Sequence, residues 1–145
     1  MIKTFRGLLA DGQQERIRLE HIDGKTGYRI KKFELMTNTP GLSNYESIVK
    51  VFSIKQTVID GIVNFSEQTL LAAGVIKDTD SPAVTTTSLV TFDSVVFNQD
   101  IFVTHKDVDV GIACNYYLEL EQISLDEMEA TTVILKNFRN TNTVV

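Results

Sequence analysis

The sequence predicts an all-β chain folded as an antiparallel β-sandwich, with a single jelly roll as the expected member of that class. Three observations lead there. The chain holds 15 Val, 13 Ile and 16 Thr against 6 Ala and 12 Leu, and side chains stiff at χ1 suit a pleated surface better than a helix. Its apolar positions alternate instead of recurring every three or four residues. Short strand-like segments follow one another at roughly ten-residue spacing with turn chemistry between them, the pattern of a sandwich or barrel. No internal repeat suggests a propeller or solenoid.

The elements follow in order. A first strand covers residues 2–9 and ends at the Asp11-Gly12 turn signal. In residues 15–20, Ile17 and Leu19 face one way while Arg16, Arg18 and Glu20 face the other, which is a half-buried strand. After Asp23-Gly24 comes a strand over residues 28–36. Its inward positions are Tyr28 and Ile30, then Phe33 and Leu35, so the parity shifts across Lys31-Lys32 and predicts a β-bulge. Pro40-Gly41 and Asp60-Gly61 flank a strand at residues 47–54. Residues 66–74 read either as a short helix, capped by Ser66 and ended by Gly74, or as the start of a strand at 69–76. Val75 and Ile76 continue the apolar run, which favours the strand. Further strands are expected at residues 88–94 and 101–105, and around Tyr116, Leu118 and Leu120, which alternate with Tyr117, Glu119 and Glu121. Ser124-Leu125-Asp126-Glu127 has capping-box spacing and predicts one helical turn. A last strand at residues 132–138 brings the count to about nine. The expected core contains Ile17, Leu19, Ile30, Phe33, Phe52, Phe92, Val103, Leu118 and Leu120.

Size and charge narrow the function classes. At 145 residues the chain reads as a single β-sandwich domain spanning 1–145, able to bury roughly two thirds of its unfolded surface. No apolar run approaches the eighteen or so residues that span a bilayer, and the apolar stretch in MIKTFRGLLADG is too short for a signal peptide, so a soluble mature chain without membrane contact is expected. A net charge of -5 with 14 scattered Lys and Arg disfavours a nucleic-acid groove. The single cysteine, Cys114, excludes internal disulfides and Cys-based zinc boxes.

The catalytic inventory is thin. His21 and His105 lie in no H-E-x-x-H or H-x-E arrangement, and no G-x-S-x-G elbow or phosphate-cradling glycine loop is present. Cys114 opens an apolar strand with no basic neighbours and reads as a small buried hydrophobe. The most enzyme-like feature is His105, Asp107 and Asp109, which share one side of an extended strand and could hold a divalent ion. The plainer reading is a polar strand end before Gly111. Cupin enzymes carry an H-x-H followed by Glu, which His105-Lys106-Asp107 does not match. Asp78-Thr79-Asp80-Ser81-Pro82 is a second acidic cluster, expected on a solvated loop because Pro82 cannot donate to a ladder. Asn64-Phe65-Ser66 matches a glycosylation sequon without a secretory context. Tyr28, Tyr45, Tyr116 and Tyr117, with no Trp, make a poor sugar-stacking platform, and Tyr116 is better explained as core. No catalytic, cofactor-binding or metal residue is assigned, and no cofactor is expected.

Across most of its length the chain resembles a family. The segments MIKTFRGLLADGQQERIRLEHIDGKTGYRIKKFELM, IDGIVNFSEQTLLAAGVIKD, VVFNQDIFVTHKD and NYYLELEQISL resemble small virion structural proteins of marine tailed bacteriophages. The resemblance implies a non-enzymatic capsid decoration or cement protein, made in the host cytoplasm and located in the virion. Its implied partners are the major capsid protein or other virion subunits, with a homo-oligomer, such as a trimer, expected. It transfers no functional residue. Two other classes compete: a receptor- or carbohydrate-binding module of a head fibre or tail, and a small β-barrel enzyme using His105. The segments expected to make intermolecular contacts are the uncharged 132–135 stretch, the 140–145 tail, and the first strand, whose only charges are Lys3 and Arg6.

Overall fold

The structure, a computed structural model, describes residues 1–80 and 83–143. Among the described residues, eight strands and one helix follow in chain order: β1 (Ile2–Leu9), β2 (Gln14–Ile17), β3 (Thr26–Thr37), β4 (Glu46–Phe52), β5 (Leu70–Asp80), β6 (Ala83–Thr91), β7 (Ile101–Asp107), β8 (Cys114–Ser124) and α1 (Glu127–Thr143). They form a three-stranded sheet in the order β1-β8-β3 and a five-stranded sheet in the order β2-β7-β4-β5-β6. Every neighbouring pair is antiparallel. The expected sandwich is therefore present. Pairing β1 with β8, β2 with β7 and β4 with β5 nests the two halves of the chain as a jelly roll does. The departure is β6, which stays hydrogen-bonded to β5 and extends the second sheet without crossing to β3.

Local chemistry sets these elements. Gly12 sits at φ +78° in the β1–β2 turn, a conformation that costs glycine nothing. The ladder between β3 and β8 shifts register between Ile30 and Lys32, so the bulge read from the parity change keeps Ile30 and Phe33 on the inner face. Gly74 in β5 permits a close approach of the sheets: a Cβ there would lie 2.6 Å from Leu89 Cδ2, 2.8 Å from Leu35 Cδ1 and 3.0 Å from Phe33 Cε2. β5 begins at Leu70, as the strand reading of this region required.

Between the sheets lies one apolar cluster that includes Leu9, Ile17, Leu19, Ile30, Phe33, Val49, Val51, Ile101, Val103, Leu118 and Leu120. Of the nine side chains expected in the core, eight are buried and Phe92 is partly buried. Phe52, however, belongs to a second cluster with Leu70 and Ala73, against which Phe92 packs. These residues face away from the first sheet. They are covered by residues 53–69, which fold back over the outer face of the five-stranded sheet as a strap. Lys50 anchors it from below: Nζ donates to Asp60 Oδ1 at 2.9 Å and to the Ile62 carbonyl at 2.6 Å, with its side chain only 7% exposed. Gln14 and Gln56 tie the strap to β2 through two hydrogen bonds, at 3.0 and 2.8 Å.

Two expectations need correction. Residues 132–138 are not a ninth strand but part of α1. The cap is Asp126, whose Oδ1 accepts the Glu129 amide at 2.7 Å, while Ser124 still belongs to β8. Acidic Glu127 and Glu129 suit the positive end of the helix dipole. Thr131 and Thr132 return their hydroxyls to the carbonyls of Glu127 and Met128, each at 2.8 Å, which satisfies β-branched residues inside a helix. Ala130 is buried, Val133 is half-buried, and Ile134 Cδ1 rests beside Gly24, so the docked face follows helical spacing. The second correction concerns Asp78, Thr79 and Asp80: they extend β5 and are not on a loop. Ser81 and Pro82, and the last two residues of the 140–145 tail, lie outside the described residues.

Candidate functional site

The side chains singled out for chemistry are for the most part put to structural use. His105 and Asp107 both point inward from β7 and are buried, whereas Asp109 is exposed in the following turn. His105 Nδ1 lies 3.1 Å from the Ala10 carbonyl, and its Nε2 has no partner among the described residues. Asp107 holds the β7–β8 turn. Its Oδ1 accepts the amides of Asp109 and Val110 at 2.9 Å and of Gly111 at 3.1 Å, and its Oδ2 accepts the Ser47 hydroxyl at 2.9 Å. Burial alone would raise the Asp107 pKa; the hydrogen bonds from Asp109, Gly111, Ser47 and Val110 outweigh it and hold the carboxyl below its ordinary value. Among the described residues, no group of three or more His, Cys, Asp or Glu side chains could hold a metal ion.

The remaining candidates are equally constrained. Burial, with the Asp107 charge nearby, pushes the Cys114 thiol up to about 12, far from a reactive thiolate. Asp78 accepts the Thr85 hydroxyl at 2.8 Å across the β5–β6 ladder. Asn64 Oδ1 accepts the Ser66 amide at 3.0 Å, so the sequon forms a turn in the strap. Tyr28, Tyr45 and Tyr116 are buried. The Tyr116 hydroxyl donates to Glu15, and His21 pairs with the Tyr28 hydroxyl at 3.0 Å. One carboxylate that no sequence pattern singled out has a comparable role. Asp100 accepts the amides of Leu19 and Glu20 at 2.7 and 3.0 Å and the Arg16 guanidinium at 2.6 Å. It was hidden because its donors lie some eighty positions earlier in the chain.

What the fold leaves open are sheet edges. β1 ends the three-stranded sheet. The Gln122 amide donates to the Met1 carbonyl at 2.8 Å, which fixes the ladder's alternation: Lys3, Phe5, Gly7 and Leu9 bond to β8, while Ile2, Thr4, Arg6 and Leu8 direct their backbone groups away from it. Among the described residues these four have no backbone partner on that side. The edge borders a groove of about 490 Å³ lined by Lys3, Thr4, Phe5, Arg18, Glu20 and His21, with Leu19 and Tyr28 also in its wall. Lys3, Arg6 and Arg18 have no ion-pair partner among the described residues. On the solvent face of the same sheet, Leu8, Met36 and Tyr117 line a shallow depression of about 550 Å³ together with Arg6, Glu34 and Asn115. No protein-family model and no curated protein matches the chain.

Proposed function

We propose that the chain is a non-enzymatic virion structural protein, a capsid decoration or cement protein that attaches to shell subunits by adding their backbone to its own sheet. The observation that carries this reading is the open β1 edge, where Ile2, Thr4, Arg6 and Leu8 offer unpaired amides and carbonyls beside a groove bearing Lys3 and Arg18. Natural sandwiches usually blunt such an edge, so a long free one suits a protein whose partner completes it. The buried and fully engaged state of Asp107, and the burial of His105 and Cys114, support a lattice component over an enzyme. Residues 132–135, as part of a helix, no longer serve as a second pairing strand.

The experiment is a competition for incorporation into particles between the wild-type chain and Thr4→Pro. The Thr4 amide points away from β8, so its loss leaves the internal ladder intact while removing a donor from the open edge. Expected is a Thr4→Pro chain that melts within about 3 °C of wild type, roughly 1 kcal/mol for a chain of this size, yet is largely excluded from particles. Equal incorporation would overturn the reading.

A further inference from the structure

The far edge of the five-stranded sheet carries a different signal. β6 is its last strand, and the nine residues Ala83–Thr91 contain no charge, no proline and no glycine. Positions 84–89 are all exposed. Among the described residues, none of the usual protections of an edge strand, such as a central lysine, a bulge or a covering loop, is present along it. The ladder to β5 determines what the edge offers. The Phe92 amide donates to the Leu71 carbonyl at 3.0 Å, and carrying that alternation back along the register makes Val84, Thr86, Ser88 and Val90 the residues that bond to β5. Thr85, Thr87 and Leu89 direct their backbone groups outward, and among the described residues none of these groups has a backbone partner.

We propose that β6 pairs with β6 of a second copy of this chain, antiparallel and about a two-fold axis through Thr87, to form one continuous sheet across a dimer. The parity just described allows an antiparallel self-pairing to centre only on a residue, never between two residues, because outward-facing positions must meet outward-facing positions. Centred on Thr87, the sequence reads almost the same in both directions. Val84 meets Val90, Thr86 meets Ser88, Thr85 meets Leu89 and Thr87 meets its own copy. β-Branched and hydroxyl pairs are favourable cross-strand neighbours, and the uncharged strand places no like charges opposite each other. The outward groups of Thr85, Thr87 and Leu89 would exchange about six backbone hydrogen bonds with the partner. Such an isologous contact closes on itself, which prevents the open edge from propagating into a fibre. The inference is independent of the capsid reading: it concerns the purified chain alone and an edge other than β1.

The test measures the mass of the purified chain by light scattering and combines it with two substitutions at the axis. Wild type is expected at twice the 16.3 kDa monomer mass. Thr87→Lys sets two ammonium groups face to face at the axis and is expected to return the chain to monomer mass with an unchanged far-ultraviolet spectrum. Thr87→Cys brings two identical positions to a Cα separation of about 5.5 Å, within the range that a disulfide spans, so mild oxidation is expected to give a covalent dimer. Thr85→Cys serves as the register control, because its own copy would lie about 13 Å along the strand, and it is expected to remain uncrosslinked. Cys114 is buried and does not compete. A monomeric wild type, a Thr87→Lys chain that is still dimeric, or equal crosslinking at positions 85 and 87 would each overturn the proposal.

Discussion

Replacing Asp107 by Ala removes the acceptor for three consecutive turn amides and for the buried Ser47 hydroxyl. A hydrogen bond to a charged group contributes about 1.5–3 kcal/mol. Four such bonds do not add, because three converge on one oxygen and the carboxylate itself carries a desolvation cost. Each buried neutral donor left without an acceptor costs about 1–3 kcal/mol, and with the turn amides partly rehydrated in the variant a total of about 3–5 kcal/mol is expected. For a chain of 145 residues that corresponds to a fall in Tm of about 10–15 °C. Asp107→Asn retains an oxygen for the three amides but loses the charge, and is expected to cost about 1–2 kcal/mol. Urea unfolding followed by circular dichroism at pH 7 separates the two variants, since both should shift the midpoint without changing the slope. An Asp107→Ala chain within 1 kcal/mol of wild type would show that the carboxylate does not hold the β7–β8 turn, and the structural reading of His105-Lys106-Asp107 would fail with it.

The other predictions are smaller. The carboxyls of Asp107, Asp100 and Asp60 all lie below their ordinary pKa, so the folded chain binds fewer protons than the unfolded one. Their stabilisation is complete above the unfolded value near 4 and is lost as pH falls through the folded values. A melting series from pH 6 to pH 2 should therefore show a steep acid limb, less steep in Asp107→Asn; identical limbs would contradict the assignment. Gly74→Val forces atoms into the space held by Leu89, Leu35 and Phe33 and should destabilise by about 1–3 kcal/mol in chemical unfolding. Asp126→Ala removes the cap of α1 and should cost about 0.5–2 kcal/mol. Amide exchange should rise across residues 127–136 and stay unchanged in the sandwich strands.

The parts of the fold legible in the sequence were those written in local periodicity. Ile17 and Leu19, or Tyr116, Leu118 and Leu120, declare an inner face through alternation alone, and the parity break at Lys31-Lys32 locates a bulge because one extra residue must flip the pattern. Where two periods coexist the signal failed. Thr131, Thr132, Val133 and Ile134 have strand propensity, but Ala130, Val133 and Ile134 also share a helix face, and the cap at Asp126 together with docking beside Gly24 decided for the helix. Long-range facts were not legible. That Phe52 faces outward beneath a strap depends on where residues 53–69 return, and Asp100 is matched with Arg16 only by the folded topology. The same holds for the edges: Ile2–Leu9 was identifiable as a strand, but its position at the margin of a sheet follows from the pairing order.

The strap over Lys50 gives the protein two tiers of stability. The sandwich is closed by ladders and a continuous apolar core, whereas residues 53–69 are held by a few side-chain bonds, from Lys50, Gln14 and Gln56, above a small cluster of Phe52, Leu70 and Ala73. Such a layer can lift while the sheets stay paired, in a local opening much cheaper than global unfolding. Each lifting event frees one otherwise sheltered ammonium and uncovers an apolar patch, so the rate at which an amine-reactive reagent labels Lys50 would report on the strap alone. Vulnerability to proteases should concentrate there too: a single cut near Val58 or Ile62, both well exposed, would sever the connection between β4 and β5 while leaving their ladder standing.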